Sequence, residues 1–91
     1  MRTYEITNVI REGVLEETKN AILDLFAKHS LQVQSEEDWG SKRLWHPARR
    51  EEQGHFLFFR CLGKPGEISK LEKDFKLNTN ILKAMVIKAN G

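Results

Sequence analysis

Between Glu36 and Cys61 the chain reads EEDWGSKRLWHPARREEQGHFLFFRC, and most of its chemically capable side chains sit there. Both tryptophans, three of the five phenylalanines, two of the three histidines and the only cysteine fall inside it, with Lys42, Arg43, Arg49, Arg50 and Arg60. His46, His55 and Cys61 are the candidates for a metal. A structural zinc needs four ligands at tight spacing, and two histidines beside one isolated thiol do not supply them. No serine, cysteine or lysine has a recognisable base partner, and there is no glycine-rich phosphate loop. Glu36, Glu37, Asp38, Glu51 and Glu52 read as solvated charges that balance the neighbouring Lys and Arg. His29 lies near the C-terminal end of an apolar helical stripe, where it caps and packs. Neither a metal, a cofactor, a small-molecule substrate nor catalysis is expected.

Binding is the remaining chemistry, and the cations carry it. Lys42, Arg43, Arg49 and Arg50 cluster in one segment, Arg2 opens the chain, and Lys83 and Lys88 stand near its end. A net charge of +2 is only mildly basic, so any nucleic-acid reading rests on where these charges lie. Phosphate contacts from a basic patch are sequence-independent and sensitive to salt.

The elements that place these residues follow from periodicity. Thr3 to Ile10 alternates, with Tyr4, Ile6 and Ile10 on one side and Asn8 interrupting it, which reads as a strand. Gly13 marks a turn. Leu15, Thr18, Ile22, Leu25, Phe26 and His29 then recur at helical steps. Leu31 and Val33 open a second strand that runs to His46 and is ended by Pro47, which cannot donate to a ladder. Ala48 to Gly54 reads as a hairpin loop and His55 to Leu62 as the third strand. Gly63, Pro65 and Gly66 punctuate the exit, and Ile68, Leu71 and Phe75 mark a second, shorter helix. A loop at Asn78-Thr79-Asn80 leads to a last strand from Ile81 to Lys88.

This βαββαβ order predicts an α+β fold, the ferredoxin-like plait, with a four-stranded antiparallel sheet and both helices on one face. Arg2, Lys83 and Lys88 are then expected to converge, because the first and last strands are neighbours. Leu57, Phe59 and Cys61 should face inward, since the alternate set carries Arg60. That leaves Phe56 and Phe58 on the open face as a contact surface. The expected core is Leu15, Ile22, Leu25, Phe26, Ile68, Leu71 and Phe75 against Tyr4, Ile6, Leu57 and Phe59.

The bulk numbers agree. Ninety-one residues make one domain, from 1 to 91, and 40% hydrophobic with 31% charged residues describe an ordinary globular chain. A lone cysteine points to a reducing compartment such as the cytoplasm. The N-terminus has no apolar signal region, and no apolar run is long enough to span a bilayer. An RNA-recognition motif would need a third strand like K/R-G-F/Y-G/A-F-V-x-F/Y, and Gln53-Gly54-His55-Phe56-Leu57-Phe58-Phe59 matches only its glycine. A plait can also serve as a small-molecule regulatory module or as an acylphosphatase-like enzyme, but the arginine-bearing phosphate loop of the latter is missing.

RTYE at Arg2 to Glu5, DWGSKRLWHP at Asp38 to Pro47, GHFLFF at Gly54 to Phe59 and LEKDFKLNTNILKAMVIK at Leu71 to Lys88 together resemble the bacterial small-ribosomal-subunit protein six family. The resemblance implies a protein that binds the central domain of the small-subunit RNA as a heterodimer with ribosomal protein eighteen, without catalysis. It implies RNA contacts at Arg2, Lys76, Lys83 and Lys88, to which the charge cluster adds Lys42 and Arg43. It places the protein partner on Leu44, Trp45 and His46, beside the open-face Phe56 and Phe58. The family usually has arginine at Lys83 and reads Leu-Ala-Tyr-Pro where this chain has Leu44-Trp45-His46-Pro47. This chain also stops at Gly91, without the acidic extension some members carry.

Overall fold

A computed structural model describes residues 1–89; the chain's end at Gly91 lies outside the described residues. Six elements follow one another: β1 (Arg2–Ile10), α1 (Leu15–Lys28), β2 (Gln32–Ala48), β3 (Glu51–Gly63), α2 (Pro65–Leu77) and β4 (Ile81–Lys88). The strands form one antiparallel sheet in the order β2-β3-β1-β4, which is the plait. The two central strands therefore carry the core, and β2 and β4 are its edges.

One face of the sheet is covered by both helices. Tyr4, Ile6, Leu57, Phe59 and Cys61 meet Ile22, Phe26, Ile68, Leu71 and Phe75 there. Phe26 stands edge-on to Phe59 at 5.1 Å and to Phe75 at 6.3 Å, the arrangement aromatic quadrupoles favour. Arg60 does mark the outer face of β3, since Leu57, Phe59 and Cys61 are all buried. Leu15 and Leu25, expected in the core, are only half-buried at its rim, because the buried stripe of α1 runs through Thr18, Ile22 and Phe26. Asn8 stays in register on the buried face, so the interruption of the apolar pattern is a real polar group in the core.

The ends of the helices are set locally. Glu16 and Glu17 in the first turn of α1 and Lys28 in its last complement the helix dipole. Ser30 adopts φ 58° after the helix, so that the Leu31 N–H reaches back to the Phe26 carbonyl at 2.8 Å. This returns Leu31 to the core. Pro65 starts α2, where its missing N–H costs nothing.

The β2–β3 hairpin differs from the expected one. Pro47 does not end β2, which continues to Ala48, and the loop expected from Ala48 to Gly54 is a two-residue turn of Arg49 and Arg50. Ala48 pairs with Glu51, and β3 begins there. Proline is tolerated because β2 is an edge strand whose outward N–H has no partner to lose. Arg49 and Arg50 have φ of 50° and 68°, the signature of a type I′ turn. Glycine or asparagine is the usual occupant of such positions, and each arginine held there costs about 1–2 kcal/mol.

Candidate nucleic-acid and protein interface

The segment Leu44-Trp45-His46-Pro47 is pushed out of the ladder. Arg43 pairs with Gln53 and Ala48 with Glu51, so four residues of β2 stand against Glu52 alone. The result is a wide bulge on the free edge of the sheet. Trp45 at its crest is 91% exposed, with its ring edge-on to His46 at 6.4 Å. Leu44 is half-buried and roots the bulge. His46 and His55, two of the candidates for a metal, do not lie across from each other. His55 pairs with Ser41, and its Nε2 meets the Asp38 carboxylate.

On the open face the aromatic residues are already engaged. Trp39 stacks on Phe58 with centroids 5.1 Å apart and planes 11° from parallel. Its indole N–H donates to Glu37 Oε1 at 3.1 Å. The Lys42 ammonium sits 5.5 Å from the Trp39 centroid and 5.8 Å from that of Phe56, a cation–π contact with both. Phe56 and Phe58 are consequently half-buried rather than bare. Gly54 belongs to the same face: a Cβ there would come within 2.4 Å of Val9 Cγ1, so only glycine lets β1 and β3 close up beside Phe56. Trp39 is absent from the contact residues that the sequence suggests; it reaches Phe58 from a register break between Asp38 and Gly40, where Glu37 is the residue paired with Phe58, and strand alternation carries no signal of that.

The cations divide into two groups. Arg11, Lys19, Lys28, Arg60 and Lys70 each hold a carboxylate. Arg2, Lys42, Arg43, Arg49, Arg50, Lys64, Lys73, Lys76, Lys83 and Lys88 hold none among the described residues. Arg2, Lys83 and Lys88 do not converge. Lys88 pairs with Tyr4 and Lys83 with Val9, five residues apart along β1, or about 16 Å at the rise of a strand. Their side chains also leave opposite faces, since Lys83 shares its side with Met85 and Ile87 and Lys88 with Val86 and Ala84. Arg2 stays with Lys88, two residues from its partner Tyr4. β4 is an edge strand, so Lys83 on its open face and Lys76 on α2 both border, with Arg49, a notch of about 210 Å³ beside that edge.

Titratable groups elsewhere are structural. The Gly40 N–H, at 2.8 Å, and then His55 hold the Asp38 carboxyl below its ordinary range. Burial pushes the Cys61 thiol up to about 11, which keeps it protonated and unreactive at neutral pH. Among the described residues no three His, Cys, Asp or Glu side chains are placed to hold a metal. His29 does more than cap. It is 6% exposed and lies between the helices, with Nδ1 3.1 Å from Glu67 Oε1 and Nε2 2.7 Å from Asp74 Oδ2. Hydrogen bonding to His29 holds both carboxyls below their ordinary values, with Lys70 assisting at Glu67 and Lys28 at Asp74.

The class this geometry defines is an α+β plait of the ferredoxin-like kind, with aromatic and cationic side chains on its open face and edge. Comparison with known proteins gives the particular family. The family model for ribosomal protein S6 matches residues 3–88. Small ribosomal subunit protein bS6 of two Leptospira biflexa serovar Patoc strains, Patoc 1 / Ames and Patoc 1 / Paris, is 59% identical over 91 residues, all of both chains. The chain belongs to the ribosomal protein S6 family.

The crystal structure of 30S ribosomal protein S6 from Thermotoga maritima superposes with a TM-score of 0.81, covering 97% of this chain and 87% of that one at 15% identity. The solution structure of the C-terminal domain of the MgtC protein from Mycobacterium tuberculosis gives 0.69, covering 98% and 88% at 6% identity. At such identities the likeness is one of fold, and a fold shared this widely does not choose a function. The family does: its members are structural, non-enzymatic proteins of the small ribosomal subunit, and this chain works in the cytoplasmic ribosome among ribosomal RNA and other ribosomal proteins. Among the described residues no helix is long and apolar enough to cross a membrane.

Proposed function

We propose that this chain binds the central domain of the small-subunit ribosomal RNA as a heterodimer with ribosomal protein eighteen. The observation that carries the reading is the Leu44–Pro47 bulge, which presents a fully exposed Trp45 on a free sheet edge beside the unpaired Lys42 and Arg43. A large indole held in water on a rigid edge is a ready anchor for a protein partner. Leu44, Trp45 and His46 form that anchor, and the open-face Phe56 and Phe58 with Trp39 extend it. Arg2 and Lys88 at one end of the sheet, Lys76 and Lys83 at the other, and Lys42 and Arg43 on β2 are the RNA contacts. Folded ribosomal RNA is read by shape and backbone more than by free bases, which suits cations over stacking aromatics.

Affinity purification of the tagged chain from a lysate should return small-subunit RNA and ribosomal protein eighteen together. Trp45→Ala should weaken the protein pair by about 2 kcal/mol or more in calorimetry. Unchanged affinity would move the protein interface away from the bulge.

A further inference from the structure

We propose that Arg49, Lys76 and Lys83 form a seat for one backbone phosphate of RNA, with the strained hairpin turn holding Arg49 over it. This rests on the RNA-binding reading above and adds to it a residue, a ligand group and a reason for an unfavourable backbone.

Three observations meet at this place. The notch between the end of α2, the start of β4 and the hairpin tip is lined by three cations and a single carboxylate, Glu72, over a floor that includes Ile81 and Leu82. None of these charged groups is in a salt bridge among the described residues, although five other cations of the chain are. The third observation is the contrast between the two turn residues. Both have positive φ, yet Arg50 lines a different depression with Arg43 and three acids, Glu12, Glu51 and Glu52, whereas Arg49 lines one with two lysines and the single acid Glu72. Neither arginine is in a salt bridge among the described residues, but Arg50 stands where acids outnumber cations and Arg49 where cations outnumber acids.

The charge arithmetic favours an anion of low charge. Three cations and Glu72 leave two positive charges, and a phosphodiester brings one negative charge. Carbonyls at the C-terminal end of α2 work against an anion, and Lys76 in the last helical turn offsets them. A guanidinium can hold two phosphate oxygens at once while the two ammonium groups act as point charges. Arginine at a left-handed position is an odd choice for folding, and a sound one for keeping a fork at the hairpin tip.

The test uses the full chain with ribosomal protein eighteen and small-subunit RNA, comparing Arg49→Gly with Arg50→Gly. Glycine suits both backbone positions, so neither variant should lower the thermal midpoint. Arg49→Gly should weaken RNA binding about tenfold and flatten the slope of log affinity against log salt by about 0.7–0.9. Arg50→Gly should leave affinity and slope unchanged. If wild type binds RNA and Arg49→Gly binds it equally well with the same slope, the seat is overturned and the RNA reading stands. A wild type without affinity for the RNA overturns both. Inorganic phosphate provides the second arm. Its titration should shift the NMR signals of Lys76 and Lys83 in wild type and not in Arg49→Gly. Those shifts with an RNA affinity indifferent to Arg49→Gly would mean a site for free phosphate, and the RNA assignment would fall.

Discussion

Asn8 shows what a single residue can cost. Its amide is fully buried on the core face of β1, and neither its Nδ2 nor its Oδ1 has a partner in the protein. A buried amide without hydrogen bonds is destabilising by about 1–3 kcal/mol, and an apolar residue of similar size removes that penalty. Asn8→Val should therefore stabilise the chain by about 1–2 kcal/mol in urea unfolding, the branched side chain also suiting a central strand. A loss of stability would show that the amide is held by something other than the protein. The sequence marks this position as an interruption of the Tyr4, Ile6, Ile10 face, and the face is the right one. Periodicity cannot say whether an offending polar residue turns out to solvent or stays in register, because that is decided by the strands on either side. Here Leu57 and Ala84 pair with Asn8 and hold it in place.

At the scale of elements, the two helices are joined by His29. A neutral imidazole has one N–H and can donate to only one of the two carboxylates it meets, whereas the protonated ring donates to both. The carboxyls of Glu67 and Asp74 are held below their ordinary range, chiefly by hydrogen bonding to His29. A depressed carboxyl contributes stability that is complete above its unfolded value and disappears as pH falls through its folded value. Here the loss falls below about pH 4. Glu67→Gln with Asp74→Asn should be less stable than wild type at pH 7, and the difference should shrink as pH falls towards 2. A gap that stays constant with pH would show the two carboxylates to be indifferent to folding. The existence and order of all six elements are legible from period alone, as is the inward set of β3, thanks to Arg60. The hairpin is not. Its tip projects past the body of the sheet, so neither face of β2 there is buried and the two-residue period that marks a strand has no cause. Arg49 and Arg50 also lack the glycine or asparagine by which such turns are recognised.

Across the whole molecule, antiparallel register decides which charges act together. Adjacency of β1 and β4 follows from the element order, yet adjacency alone does not say which ends meet, and Lys83 and Lys88 lie about 16 Å apart on opposite faces. That separation exceeds the Debye length of about 8 Å at physiological salt, so the two ends of the sheet are electrostatically independent. Changing Arg2 and Lys88 to glutamine and, separately, Lys76 and Lys83 to glutamine should therefore give decreases in RNA affinity that add in the combined variant. Every RNA phosphate left without its cation should flatten the salt slope by about 0.7–0.9. If one pair leaves the slope untouched, the RNA lies along the other end only. If both do, the binding surface is the Lys42 and Arg43 side of β2.

The irregular edge of β2 has a bearing on the time before assembly. A long exposed strand is a template on which a second copy can zip, and a newly made subunit without its partners is at its most vulnerable then. This strand breaks register at Val33/Ser35, at Asp38/Gly40 and at the bulge after Arg43, and it carries Glu36, Glu37 and Asp38 in a row. Free amides and carbonyls along it never form an unbroken run, and two such acidic stretches repel one another. The contour proposed for recognition thus also guards the waiting chain against itself.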